Sequence, residues 1–216
     1  MNEDPLIIII YCAIAVYIAN LYRADIKAFV AGRPNVKALP GATPTNGLLI
    51  FASVLGALVL LGNAVIGEYA LDIVDAQSEM VWFFVFASIS AGVIEEVVFR
   101  GYLVVQNRGR NALVFSCLGF SLVFALVHGH LWSMEEGFAW NFTVQGIFNT
   151  WILFFNSVSL YALRFGPWNA NRSILPSIIA HMILNLGVFV VKLVQGYIVS
   201  VSYTHLTAAD DCVCVD

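Results

Sequence analysis

Apolar residues in this chain do not alternate with polar ones at the period of a strand or of a surface helix. They run in long, nearly unbroken stretches, at roughly residues 5–22, 47–67, 80–105, 112–132, 141–163 and 174–200. About 20 consecutive apolar residues let a helix cross the hydrocarbon core of a bilayer. Each stretch therefore predicts a transmembrane helix, and together they predict an all-α, polytopic membrane bundle of about six spans. The first stretch follows Glu3 and Asp4 with no Lys or Arg before it. A cleaved signal peptide has a basic start, so a retained helix is expected.

Composition supports the same picture. Hydrophobic residues make up 60% of the 216 and charged residues 11%, where a soluble domain carries about 25% charged residues. A formal net charge of −4 spread over so few charges leaves no basic face for nucleic acid. The basic residues are distributed unevenly. Arg23, Lys27, Arg33 and Lys37 follow the first span, Arg108 and Arg110 the third, Arg164 and Arg172 the fifth. The alternate loops hold Glu68, Asp72, Asp75, Glu79, Glu135 and Glu136. The positive-inside rule then puts the N-terminus outside and the basic loops in the cytoplasm. Among these loops, residues 23–46, with Pro34, Pro40, Gly41 and Pro44, form the long polar connection.

No internal repeat or shift of composition marks a second domain, so one transmembrane domain is expected over residues 1–200. The end of the chain breaks the pattern. Val201 to Leu206 can be encoded as GTC-TCT-TAT-ACA-CAT-CTG, which resembles a transposase mosaic-end adapter. Residues 201–216 are therefore expected to be a non-native tail on a C-terminally truncated frame, and His205, Cys212 and Cys214 to carry no function. Cys12 and Cys117 sit singly in apolar spans, where packing is expected and no disulfide framework is implied.

The stretch Gly92 to Leu103, G-V-I-E-E-V-V-F-R-G-Y-L, puts Glu95, Glu96 and Arg100 inside an apolar span. Each charge at mid-bilayer costs roughly 2.5–3.5 kcal/mol on insertion scales. Glu96 and Arg100 are four apart and share a helix face, so they are expected to pair. Glu95 points about 100° away and needs a partner on another helix. Candidates are His128, one turn after Phe124, and His181, one turn before Asn185. From the turn near residues 109–111, Glu95 lies about 21 Å deep and His128 about 26 Å deep at 1.5 Å per residue. An antiparallel hairpin would bring these two together, while His181, about 14 Å from its own end, is a looser match. Burial favours the neutral acid and Arg100 the carboxylate, so Glu95 can serve as a base. A base with water makes a nucleophile for a carbonyl carbon, and a histidine N–H with an asparagine amide can hold the oxyanion. Amide hydrolysis inside the membrane follows from these parts.

Glu95-Glu96-x-x-x-Arg100, Phe124-x-x-x-His128 and His181-x-x-x-Asn185, on three spans and in that order, resemble the three signature motifs of the CAAX protease and bacteriocin-processing (CPBP, or Abi) family. The resemblance covers about residues 80–190. It implies an intramembrane endopeptidase, similar to the type II CAAX prenyl proteases, in a prokaryotic cell membrane. Its substrate would be a prenylated protein or a peptide precursor such as a bacteriocin. Glu95 would activate the water, Glu96 and Arg100 would set the local charge, and His128, His181 and Asn185 would complete the centre. The resemblance leaves two chemistries open, a metal-free glutamate mechanism and a zinc site of Glu95, His128 and His181. No His-Glu-x-x-His helix favours the second.

Plainer readings stand beside these. The glutamates and Arg100 could staple helices only, or relay protons in a proton-coupled transporter or transport subunit. The sequence has neither the repeat nor the paired broken helices such transporters use. Gln145, Asn149 and Asn156 are expected as interhelical glue, Trp132, Trp140 and Trp168 as interfacial anchors, His130 as a structural residue, and Lys192 as a snorkelling cation.

Overall fold

The computed structural model describes residues 4–134 and 137–200. Glu135, Glu136 and the expected foreign tail lie outside the described residues. The described residues form six α-helices, named in chain order: α1 (Pro5–Val30), α2 (Gly47–Ala70), α3 (Phe84–Glu95), α4 (Arg110–Val127), α5 (Val144–Phe165) and α6 (Leu175–Gln195). The polar residues that precede the spans start them. Asp4 accepts the Leu6 N–H at 2.8 Å, Asn46 the Leu49 N–H at 2.7 Å and Thr143 the Gly146 N–H at 3.0 Å. These contacts satisfy N–H groups that the first turn of a helix leaves over.

The fold is the expected all-α bundle, with one difference in how it spans. Five helices are each long and apolar enough to cross a bilayer. The third is not a plain span: α3 has 12 residues and passes directly into a π-helical segment, Glu96–Tyr102. The apolar run at 80–105 is also shortened from its other end. Met80–Val81 form a short strand, β1, paired in parallel with Ile198–Val199, here β4. The last apolar run is shortened in turn because Gly196, at φ +85°, caps α6 in the left-handed conformation, which glycine adopts without strain. A second strand pair, β2 (Trp132–Ser133) with β3 (Ala139–Trp140), joins α4 to α5 as an antiparallel hairpin.

Packing sorts the residues by polarity in the sense a bilayer requires. Leu6, Ile9, Val59 and Phe115 are more than 60% exposed on the outside of the bundle. Ser53, Ser121, Ser157, Glu96 and Arg100 are fully buried inside it. In water such an exterior would aggregate; in lipid it is the matching surface. α6 is packed against α2 and α3, α1 against α3, and α4 against α5. The α2–α6 contact is close because Gly187 has no side chain: a Cβ there would overlap Leu61. Small residues at such crossings let helices approach without a hydrophobic drive between them.

Loop 31–46 folds back over the start of α6. Ile174 N–H donates to Gly41 O at 3.0 Å and Thr43 Oγ1 to Asn171 O at 2.9 Å. At the other end Gln77 donates to Glu68 at 2.9 Å and to Gln195 at 3.1 Å. Several basic residues are not in the loops where the pattern put them: α1 runs on to Val30 and so contains Arg23 and Lys27, and Arg110 opens α4. Arg164 lies in the last turn of α5, 2% exposed, so it is a buried cation of the bundle and not a charge of the following loop.

Candidate active site

Helix α3 ends on Glu95, and the π-helical segment after it supplies Glu96 and the cation Arg100. From Glu96 the backbone widens: Leu103 N–H donates to Val98 O, five residues earlier, at 2.9 Å. Such π turns are rare and concentrate at functional sites. Within the turn Arg100 Nη1 lies 2.9 Å from Glu96 Oε1, with both side chains wholly buried. The ion pair predicted from the i,i+4 spacing is therefore present, and the structure adds its surroundings. Arg100 Nη2 donates to Ser157 Oγ at 2.7 Å and to Ser157 O at 3.2 Å, and Ser157 Oγ donates to Ser121 Oγ at 3.0 Å. Its guanidinium carbon lies 4.7 Å from the Phe124 ring and 5.0 Å from the Tyr161 ring. Aromatic faces attract a desolvated cation, so α4 and α5 both contribute to holding this charge. Ser121, Ser157 and Tyr161 escaped the sequence reading, since isolated serines and a tyrosine in apolar spans carry no distinguishing signal.

His181, the looser match by depth, is the residue that joins the two glutamates. Its Nδ1 is 2.8 Å from Glu96 Oε1 and its Nε2 is 3.8 Å from Glu95 Oε2. The approach depends on Gly92, one turn before the glutamates. A Cβ on Gly92 would lie 3.2 Å from Met182 Cγ and 3.3 Å from Met182 N, so α3 lies directly on the backbone next to His181. Depth arithmetic counted residues from helix ends and had no access to this crossing. A carboxylate only accepts hydrogen bonds, so His181 Nδ1 must carry the proton it shares with Glu96. In the neutral ring Nε2 is then an acceptor facing Glu95. Glu95 itself keeps 31% of its side chain exposed, whereas Glu96 keeps none.

His128 enters by a different route from the one expected. The hairpin partner of α4 is α5, not α3, and His128 reaches the centre through Phe124. Its ring centroid is 4.6 Å from that of Phe124, whose ring lies 6.0 Å from His181 and 5.0 Å from Phe99. His128 Nδ1 is 2.7 Å from Phe124 O, and a carbonyl also only accepts, so this ring too bears its proton on Nδ1. Phe124, 2% exposed, is thus the packing link among three elements. Asn185 is held to α3: its Nδ2 donates to Ser88 O at 2.7 Å, leaving a second amide N–H.

Both histidines present the tautomer a metal would favour, with Nδ1–H bonded to a carboxylate or carbonyl and Nε2 bare. The grouping does not follow. Among the described residues no three His, Cys, Asp or Glu side chains come together to hold a metal ion.

Membrane-spanning helices that enclose two carboxylates, a guanidinium and an imidazole define a polytopic membrane protein with a polar centre inside the bundle. The family model for type II CAAX prenyl endopeptidase, Rce1-like, matches residues 77–187. That is just over half of the chain, close to the expected 80–190, and it contains every candidate residue from Glu95 to Asn185. The chain belongs to this Rce1-like family of CAAX endopeptidases. It is accordingly an integral membrane protease of the CAAX type, for which a peptide or prenylated protein is the substrate. The transporter alternative is not favoured by this match. No curated protein and no solved structure matches the chain.

Proposed function

We propose that this protease cleaves its peptide bond with a water activated by Glu95, in a centre built from Glu95, Glu96, Arg100, His128, His181 and Asn185. One observation carries the reading: a single imidazole lies between a fully buried, ion-paired glutamate and a second, partly accessible one. The two carboxylates then have different tasks. Glu96 is neutralised by Arg100 and orients His181 by accepting its Nδ1–H. Glu95 has no such partner among the described residues and is the accessible base.

In the proposed reaction Glu95 takes a proton from water while the water oxygen bonds to the scissile carbonyl carbon. The carbonyl oxygen becomes an oxyanion, for which the second amide N–H of Asn185 is the available donor. Collapse breaks the C–N bond, and the proton held by Glu95 passes to the leaving nitrogen. Phe124 keeps His128 and His181 in one assembly. The proposed orientation has the N-terminus outside: loop 31–46, with Arg33 and Lys37, adjoins residues 171–174, with Arg172, at one end of the bundle, and the positive-inside rule favours the cytoplasm for such a basic end.

Cleavage of a prenylated reporter peptide by the purified full chain tests this reading. Glu95→Gln keeps the shape of the side chain but cannot accept the proton, and is expected to lose at least about a hundredfold in kcat, the lower end of general-base contributions. Parental kcat in a folded Glu95→Gln protein would show that another group activates the water.

A further inference from the structure

The π-helical segment Glu96–Tyr102 poses a problem that the catalytic centre does not itself solve. A widened turn inside a helix is normally unstable against relaxation to α-helical pairing. Its last carbonyls also need donors, because lipid offers none. Relaxation would shift the hydrogen-bond register by one residue and re-aim Arg100 relative to Glu96. Two side chains of α5, one turn apart, meet those carbonyls. The Tyr161 hydroxyl donates to Phe99 O at 2.8 Å and to Leu103 O at 2.9 Å, sharing one proton between them. Arg164 Nη1 donates to Gly101 O at 3.4 Å. The three acceptors flank Arg100 on both sides in the chain. The face of the Tyr161 ring lies 5.0 Å from the Arg100 guanidinium, so one side chain contacts both the charge and the backbone that carries it.

Arg164 is anchored from behind. Its Nε donates to Arg172 O at 3.3 Å, and its guanidinium carbon lies 4.7 Å from the Phe165 ring. Gly41, at φ +77°, presents bare backbone to it; a Cβ there would lie 3.1 Å from Arg164 Nε and 3.1 Å from Arg172 O. Among the described residues no carboxylate lies within ion-pair distance of Arg164. A 2%-exposed cation without an acidic partner is compensated instead by carbonyl oxygens at the end of the π turn, where the helix dipole favours positive charge.

We propose that Tyr161 and Arg164 are positioning residues that clamp the carbonyl end of the π turn and thereby fix Arg100, Glu96 and, through Glu96, His181. The inference rests on the glutamate mechanism above, since it matters only if that geometry is the catalytic one. It is tested on the full chain with a prenylated fluorogenic peptide, measuring kcat and KM separately, with elution as a folded monodisperse peak as the control. Tyr161→Phe keeps the ring beneath Arg100 and removes only the shared hydroxyl. It is expected to lower kcat by about ten- to a hundredfold, the scale of a misplaced catalytic group, with KM within about twofold of the parent. Arg164→Met is expected to do the same, and Arg164→Lys, which retains a donor, to recover most of the loss. Unchanged kcat, a KM change as large as the kcat change, equal losses in the Met and Lys variants, or loss of the folded peak would each overturn the clamp. Glu95→Gln measured alongside separates the two ideas. An inactive Glu95→Gln with a parental Tyr161→Phe removes the clamp alone, whereas an active Glu95→Gln removes the mechanism beneath it.

Discussion

Replacing Arg100 by methionine tests whether the charge inside the bundle is held as the structure describes. The substitution keeps an unbranched side chain and deletes the cation, leaving Glu96 wholly buried with neutral donors such as the His181 Nδ1–H in place of the guanidinium. At 2.9 Å and an effective dielectric near 20, the attraction between the two charges is about 6 kcal/mol. Desolvation of both ions offsets much of that, so the pair contributes little net stability when intact. Breaking it from one side is different, because the remaining carboxylate stays desolvated without compensation, which costs about 3–5 kcal/mol. Arg100→Met and Glu96→Gln are each expected to destabilise the protein by that amount in equilibrium unfolding from mixed detergent micelles, followed by tryptophan fluorescence. The double variant removes both charges and is expected to be no less stable than either single one, giving a large coupling energy in the double-mutant cycle. Single variants within about 0.5 kcal/mol of the parent, or losses that add within about 0.5 kcal/mol, would refute the reasoning. Added salt should leave the result unchanged, because both side chains are fully buried and screening acts on exposed charges.

Two further outcomes follow from the same geometry. If water is activated by Glu95 without a metal, cleavage persists in a strong chelator and elemental analysis finds no metal at stoichiometric level; chelator-sensitive activity restored by zinc would reverse that assignment. Gly92→Val places a branched side chain where Met182 already lies 3.2–3.3 Å from a single Cβ, so α3 and α6 must separate. Activity is expected to fall more than tenfold while the helical content by circular dichroism is kept, and full activity in this variant would mean that the His181–Glu96 contact is dispensable.

What could be seen from the residues alone was whatever depends on neighbours along the chain. Long apolar runs announced membrane helices because lipid leaves a spanning backbone no other way to satisfy its polar groups. The Glu96–Arg100 pair was legible because four residues is one helical turn, and the three motifs carried the family because their spacing lies within single helices. The tertiary structure decided the rest. That His181 lies between both glutamates depends on how closely α3 can approach α6, which a bare Gly92 permits and no count of residues from a helix end can reveal. That His128 connects through Phe124 follows from α4 pairing with α5. The π turn, and the burial of Arg164 at its end, arise because carbonyl oxygens and distant donors on α5 satisfy one another only once the helices are packed. Local spacing told which charges are present; the packing of helices remote in sequence decided which of them remains free to react.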